Sequence, residues 1–149
     1  MSERTLRERL IGGWTLLSFS GKTPSGRTFF PMGAGVSGRL IYSANGQVSV
    51  NLMEADRPRG DPATRMPLLD DAAAAPLART YLAYAGPFSV DESSGIVTHN
   101  FELCLDPARV GTLQERHVTF HDADHLELSV PSFQGERFEA SLSLMWRRC

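Results

Sequence analysis

Apolar and polar residues alternate with period two over most of the chain, which predicts short strands that are apolar on one face. Trp14 to Ser20 is the first such run, closed by a Gly-Lys-Thr-Pro-Ser-Gly turn. Arg27 to Met32 and Val36 to Ser43 follow. Asn45-Gly46 then predicts a tight hairpin into Gln47 to Met53, which carries Val48, Val50 and Leu52 on one face. Further strands are predicted at Phe88 to Asp91, Ile96 to Leu105, Thr112 to Phe120, His125 to Val130 and Phe138 to Arg147, separated by turns.

Two stretches break the alternation. The first dozen residues read as a turn or two of helix capped by Ser2, with Leu6 and Leu10 on one face. Residues 70–85 read as a helix capped by Asp70 or Asp71 and ended by Gly86-Pro87. Pro76 puts its stable start near Ala75. Residues 54–69, with Pro58, Gly60, Pro62 and Pro67, form a long loop or lid between them. About nine strands with hairpin-length connections imply an antiparallel sandwich or barrel. No linker divides the chain, so residues 1–149 are expected to form one domain.

Strand parity gives an interior list. Phe138, Ala140, Leu142, Leu144 and Trp146 share a face, as do Leu126, Leu128 and Val130. Val118 and Phe120 bring Gln114 and Arg116 with them. Phe101, Leu103 and Leu105 bring His99, and Val36 and Leu40 bring Tyr42. Four polar side chains thus fall on apolar faces. A buried arginine without a partner is costly. Either Arg116 pairs with an interior carboxylate, snorkels to a barrel mouth or is solvated by a register slip, or it faces a ligand cavity with apolar walls. Tyr81 and Tyr84, near the predicted helix end, either line a pocket mouth or pack the helix onto the sheet. Glu102, Glu115 and Cys104 fall on outer faces.

Composition narrows the classes. Fifteen Lys+Arg against 17 Asp+Glu give a formal net charge of −2, which offers no field for a nucleic-acid backbone. No apolar stretch has the length of a membrane span, and the charged N-terminus lacks the core of a signal peptide, so a cytoplasmic protein is expected. Cys104 and Cys149 make no disulfide framework. His117, His121 and His125 recur every four residues, but across a strand, a turn and a strand. That spacing reads as solvated surface rather than a metal face, and no metal or cofactor is expected.

Several segments in order also resemble the lipocalin-like domain family of small bacterial and fungal barrel proteins. They are Leu10-Ile11-Gly12-Gly13-Trp14-Thr15-Leu16, the Gly38 to Gly46 hairpin, Met53-x-x-x-Arg57-Pro58, Tyr81 to Asp91, Val97-Thr98-His99, Val110-Gly111-Thr112-x-Gln114-x-Arg116 and Leu144-Met145-Trp146-Arg147. Ala108-Arg109 stands where relatives usually have Asn-Trp, and Asn100 where a second His is common. The resemblance implies an all-β, antiparallel up-and-down barrel of about eight to ten strands around a cavity, with a short N-terminal helix and one mid-chain helix. It also implies that Trp14 closes one end against Arg147 or Arg148.

Three functions are compatible with these residues. In the first, the cavity binds a small, mostly apolar molecule with an anionic or carbonyl head group. Arg116 and Gln114 fix that group, Tyr42 and His99 add hydrogen bonds, and Tyr84 is a further ligand contact. Phe101, Leu103, Val118, Phe120 and Leu128 line the walls. In the second, the same cavity houses a cofactor-free isomerase, cyclase or hydratase of secondary metabolism, with His99 or Tyr42 as general acid or base. In the third, the core is filled and the domain is an interaction module. A homodimer is compatible with each.

Overall fold

The tight turn at Asn45-Gly46 forms as its sequence demands. Gly46 takes φ 93° and its N–H donates to the Ser43 carbonyl at 3.1 Å, reversing the chain between two paired strands. The computed structural model describes residues 3–134 and 139–149; the inward placement expected for Phe138 and the cap expected of Ser2 lie outside them. The elements, in order, are α1 (Leu6–Leu10), β1 (Gly12–Lys22), β2 (Thr28–Phe29), β3 (Ser37–Tyr42), β4 (Gln47–Met53), α2 (Asp71–Arg79), β5 (Tyr81–Asp91), β6 (Ile96–Asn100), β7 (Leu103–Cys104), β8 (Leu113–Asp122), β9 (His125–Gln134) and β10 (Glu139–Arg148). Each long strand pairs antiparallel with its neighbour in sequence, and β10 returns to pair with β1 from Trp14 opposite Arg148 to Lys22 opposite Ser141. Eight strands thereby close an up-and-down barrel, with β2 added to β1 and β7 to β5. Among the described residues no helix is long and apolar enough to cross a membrane.

One end is plugged. Thr5 caps α1, through a reciprocal box with Glu8. The helix buries Leu10 over Trp14, whose indole N–H donates to the Leu10 carbonyl at 2.9 Å. Of the two arginines considered, Arg148 covers Trp14, with its guanidinium 4.2 Å from the ring centre, and donates to the Arg9 and Ile11 carbonyls. Arg9 stacks on Phe120 at 4.0 Å and Arg7 on Phe88 at 4.6 Å. The barrel is therefore stopped at the α1 end by aromatic rings and the cations upon them.

Two predicted elements are corrected. The mid-chain helix begins at Asp71, with Asp70 accepting from the Ala73 N–H at 2.9 Å, and ends at Arg79. Residues Tyr81 to Ala85 are strand, because each faces a residue of β4, from Met53 opposite Tyr81 to Ser49 opposite Ala85. The ladder outweighs the helix preference of an alanine-rich run. The predicted strand Ile96 to Leu105 breaks after Asn100. There the chain crosses β5 at Gly86, where a β-carbon would lie 1.9 Å from the Asn100 carbonyl oxygen. The break inverts parity, so Leu103 turns outward at 70% exposure and Cys104 comes to the inner wall.

Candidate functional site

The barrel holds a cavity of about 740 Å³. Register fixes its position: the Gly12, Tyr42 and Arg148 ends of the strands meet the α1 plug, so the space opens at the Lys22, Met53 and Tyr81 ends. Its walls are Val50, Leu52 and Leu82 from β4 and β5, and Phe19, Leu128, Val130, Leu142 and Leu144 from β1, β9 and β10. Phe29, Pro31 and Met32 come from the β1–β3 connection. Ala78 and Arg79 come from α2, and Asp106 and Arg109, paired at 3.6 Å, from the turn before β8.

Few polar groups interrupt this apolar lining. Gln114 and Arg116 stand on the inner face of β8, where strand parity places them. Gln114 donates to the Thr112 hydroxyl at 3.0 Å, and Arg116 to the neighbouring Glu115 carbonyl at 2.9 Å. Among the described residues no carboxylate pairs with Arg116. Trp146 also lines the cavity, and its indole N–H is the one buried side-chain N–H or oxygen among the described residues without a hydrogen-bond partner.

Tyr84 completes the set. Its ring stacks on Phe101 at 3.8 Å and its hydroxyl meets His99 Nδ1 at 2.8 Å. On the other side of the imidazole, Nε2 meets the Tyr42 hydroxyl at 2.6 Å. His99 is wholly buried, and burial, reinforced by the Arg116 charge, takes its pKa down to about 3, so the ring is neutral at physiological pH. Burial pushes the Tyr84 hydroxyl up to about 12, against the opposing pull of Arg116, and burial also raises Tyr42. The result is a neutral Tyr–His–Tyr chain running from core to cavity wall.

Of the residues singled out in the sequence, Arg116, Gln114, Tyr84, Phe101 and Leu128 line the cavity. Tyr42 and His99 do not: they lie one layer behind Tyr84 and are at most 1% exposed. Val118 and Phe120 share the inward parity of Arg116 but lie nearer the plug, where they pack on the core. Leu103 is outside altogether, for the reason given above. His121 pairs with Glu127 and His125 with Asp122, both at 2.9 Å on the surface. Sequence reasoning placed Trp146 inward but overlooked its N–H, although an inward Trp normally requires an acceptor. Nothing in the sequence announced the shift that brings Cys104 to the wall.

A family model described as a lipocalin-like domain matches residues 11–149. No curated protein matches the chain significantly. Among solved structures, the chain is similar to a bovine odorant binding protein in complex with a selenium-containing odorant, at 8% identity and a TM-score of 0.48, covering 100% of this chain and 76% of that one. It is similar to Japanin from Rhipicephalus appendiculatus bound to cholesterol, at 17% identity and a TM-score of 0.45, covering 94% and 77%. A redesigned beta barrel is similar at 9% identity and a TM-score of 0.46, covering 100% and 99%.

Proposed function

Because the chain belongs to the lipocalin-like domain family, we propose that it uses its cavity to bind a small, mostly apolar molecule that carries a polar head group. The observation behind this reading is the cavity itself: about 740 Å³, walled by aliphatic and aromatic side chains, with Arg116 on the wall and, among the described residues, no carboxylate paired with it. Small-molecule sites are typically roughly 300–1,000 Å³, apolar, with few converging polar groups. Arg116 and Gln114 meet the head group, while Phe101 and Leu128 contact the apolar body. The acid–base alternative requires His99 or Tyr42 against a substrate, but both stand behind Tyr84, and His99 is held neutral. No observation favours that second reading.

A neutral fluorescent amine, N-phenyl-1-naphthylamine, tests the cavity. It is expected to bind the purified chain saturably at one per chain with a blue-shifted emission. Leu144→Trp, which fills space at the wall, is expected to weaken it about tenfold or more, equivalent to roughly 1.4 kcal/mol. Thermal unfolding of the variant, followed in parallel, checks that the barrel is intact. Unsaturable binding, or equal affinity in a folded Leu144→Trp, would overturn the proposal.

A further inference from the structure

We infer, resting on the binding reading above, that the ligand is a monocarboxylate whose head group is held by Arg116 and by the Tyr84 hydroxyl, with Tyr42 and His99 aiming the Tyr84 proton into the cavity. A neutral imidazole has one N–H and one lone pair. Here each ring nitrogen meets one tyrosine hydroxyl, Tyr42 at Nε2 and Tyr84 at Nδ1. One hydroxyl must therefore donate to the ring. The other accepts from it and keeps its own proton to give elsewhere.

Burial decides which. Tyr42 is 1% exposed, packs edge-on against Phe88, and has no hydrogen-bond partner among the described residues besides His99. A spare proton there would be stranded, which is costly. Tyr84 stands on the cavity wall, where a ligand can take the proton. The consistent arrangement runs Tyr42 O–H to Nε2, then Nδ1–H to the Tyr84 oxygen, and leaves the Tyr84 O–H directed at the cavity.

Arg116 lines the same cavity as this donor, and its charge acts on both tyrosines and on His99. An ionised carboxylate only accepts, through two oxygens, and is the natural complement of such a set. The cavity's other arginines, Arg79 and Arg109, come from α2 and from the turn before β8, and Arg109 is paired with Asp106. Among the described residues Arg116 is the one cavity arginine on a strand face, and a single cation there suits a monoanion better than a phosphate dianion. Tyr42 and His99 touch no ligand in this arrangement; they are positioning residues.

The test compares 11-(dansylamino)undecanoic acid with its methyl ester on the full chain. The acid is expected to bind about tenfold or more tightly than the ester. Arg116→Gln and Tyr84→Phe should each remove most of that preference by weakening the acid alone. Tyr42→Phe should reduce it too, because without the Tyr42 O–H nothing fixes the Nδ1–H tautomer of His99 and the Tyr84 proton is no longer held toward the cavity. A merely structural role for Tyr42 would move both probes equally, and that outcome overturns the relay. Equal affinity for acid and ester in the wild-type protein overturns the monocarboxylate while leaving a binding cavity in place; failure of both probes overturns the binding reading itself. Should a variant not fold, the ¹⁵N shifts of the wild-type His99 ring decide the relay alone: an Nδ1–H tautomer supports it, and Nε2–H refutes it.

Discussion

Between about pH 6.5 and pH 4.5 the folded barrel is expected to lose stability at up to about 1.4 kcal/mol per pH unit, from His99 alone. Folding lowers this group's pKa from 6.5 to about 3, because its charged form would have to exist without water in the core. In the interval the unfolded chain binds a proton that the folded chain refuses. The stability tied to the neutral ring is therefore complete above the unfolded value and is withdrawn as acid is added. By pH 4.5 the loss is about 2–3 kcal/mol, a large part of the stability of a domain this size. Asp91, Asp122 and Glu127, whose pKa values are lowered by hydrogen bonds to neighbouring groups, add losses in the same direction at lower pH. Urea unfolding followed by tryptophan fluorescence across this range measures the slope. His99→Gln separates the contributions: it costs about 2–4 kcal/mol at pH 7 by unpairing two buried hydroxyls, yet should be nearly flat down to pH 4.5. A wild-type protein without the slope would mean that water reaches the imidazole.

Gly86→Ala is expected to be the most damaging single-methyl addition, at about 3 kcal/mol or more. Its β-carbon would meet the Asn100 carbonyl oxygen at 1.9 Å and the Glu102 nitrogen at 3.0 Å. Both are backbone atoms, so no side-chain rotation relieves the overlap. The crossing at 100–102 would have to lift off β5, pulling Phe101 away from the Tyr84 ring on which it stacks. Loss of N-phenyl-1-naphthylamine binding should accompany the loss of stability. Gly13→Ala is the control, since its β-carbon would meet only Cys149 side-chain atoms at 3.5 and 3.8 Å, ordinary contact distances. Chemical denaturation of both variants should separate them by at least about 2 kcal/mol, and a mild Gly86→Ala would contradict the close crossing.

What the sequence revealed depends on the range of the interaction involved. The Gly46 turn and the alternation along β10 are local, and both were readable without partners. Tyr81 to Ala85 was not, because its helix-favouring alanines are overruled by β4 from outside the window. Nor was the break after Asn100, whose cause is a glycine fourteen residues earlier. Parity assigned Gln114, Arg116, Val118 and Phe120 to one face. It carries no information about depth along the barrel axis, so it could not separate the two that reach the cavity from the two that pack toward the plug. Tyr42 and His99 were read as ligand contacts for the same reason: inward and accessible are indistinguishable in a single strand.

The seam between β1 and β10 has a kinetic consequence. Of the barrel's strands β1 is made first; it can satisfy one flank with β3 after some thirty residues, but its other flank has no mate until residues 141–148 emerge. Throughout synthesis the nascent sheet carries an unsatisfied border, the kind of edge on which chains aggregate. Contacts so remote in sequence also slow the final closing. Sheet annealing of this chain should therefore be limited by the meeting of its first and last strands, and truncations that remove β10 should precipitate rather than leave a smaller soluble barrel.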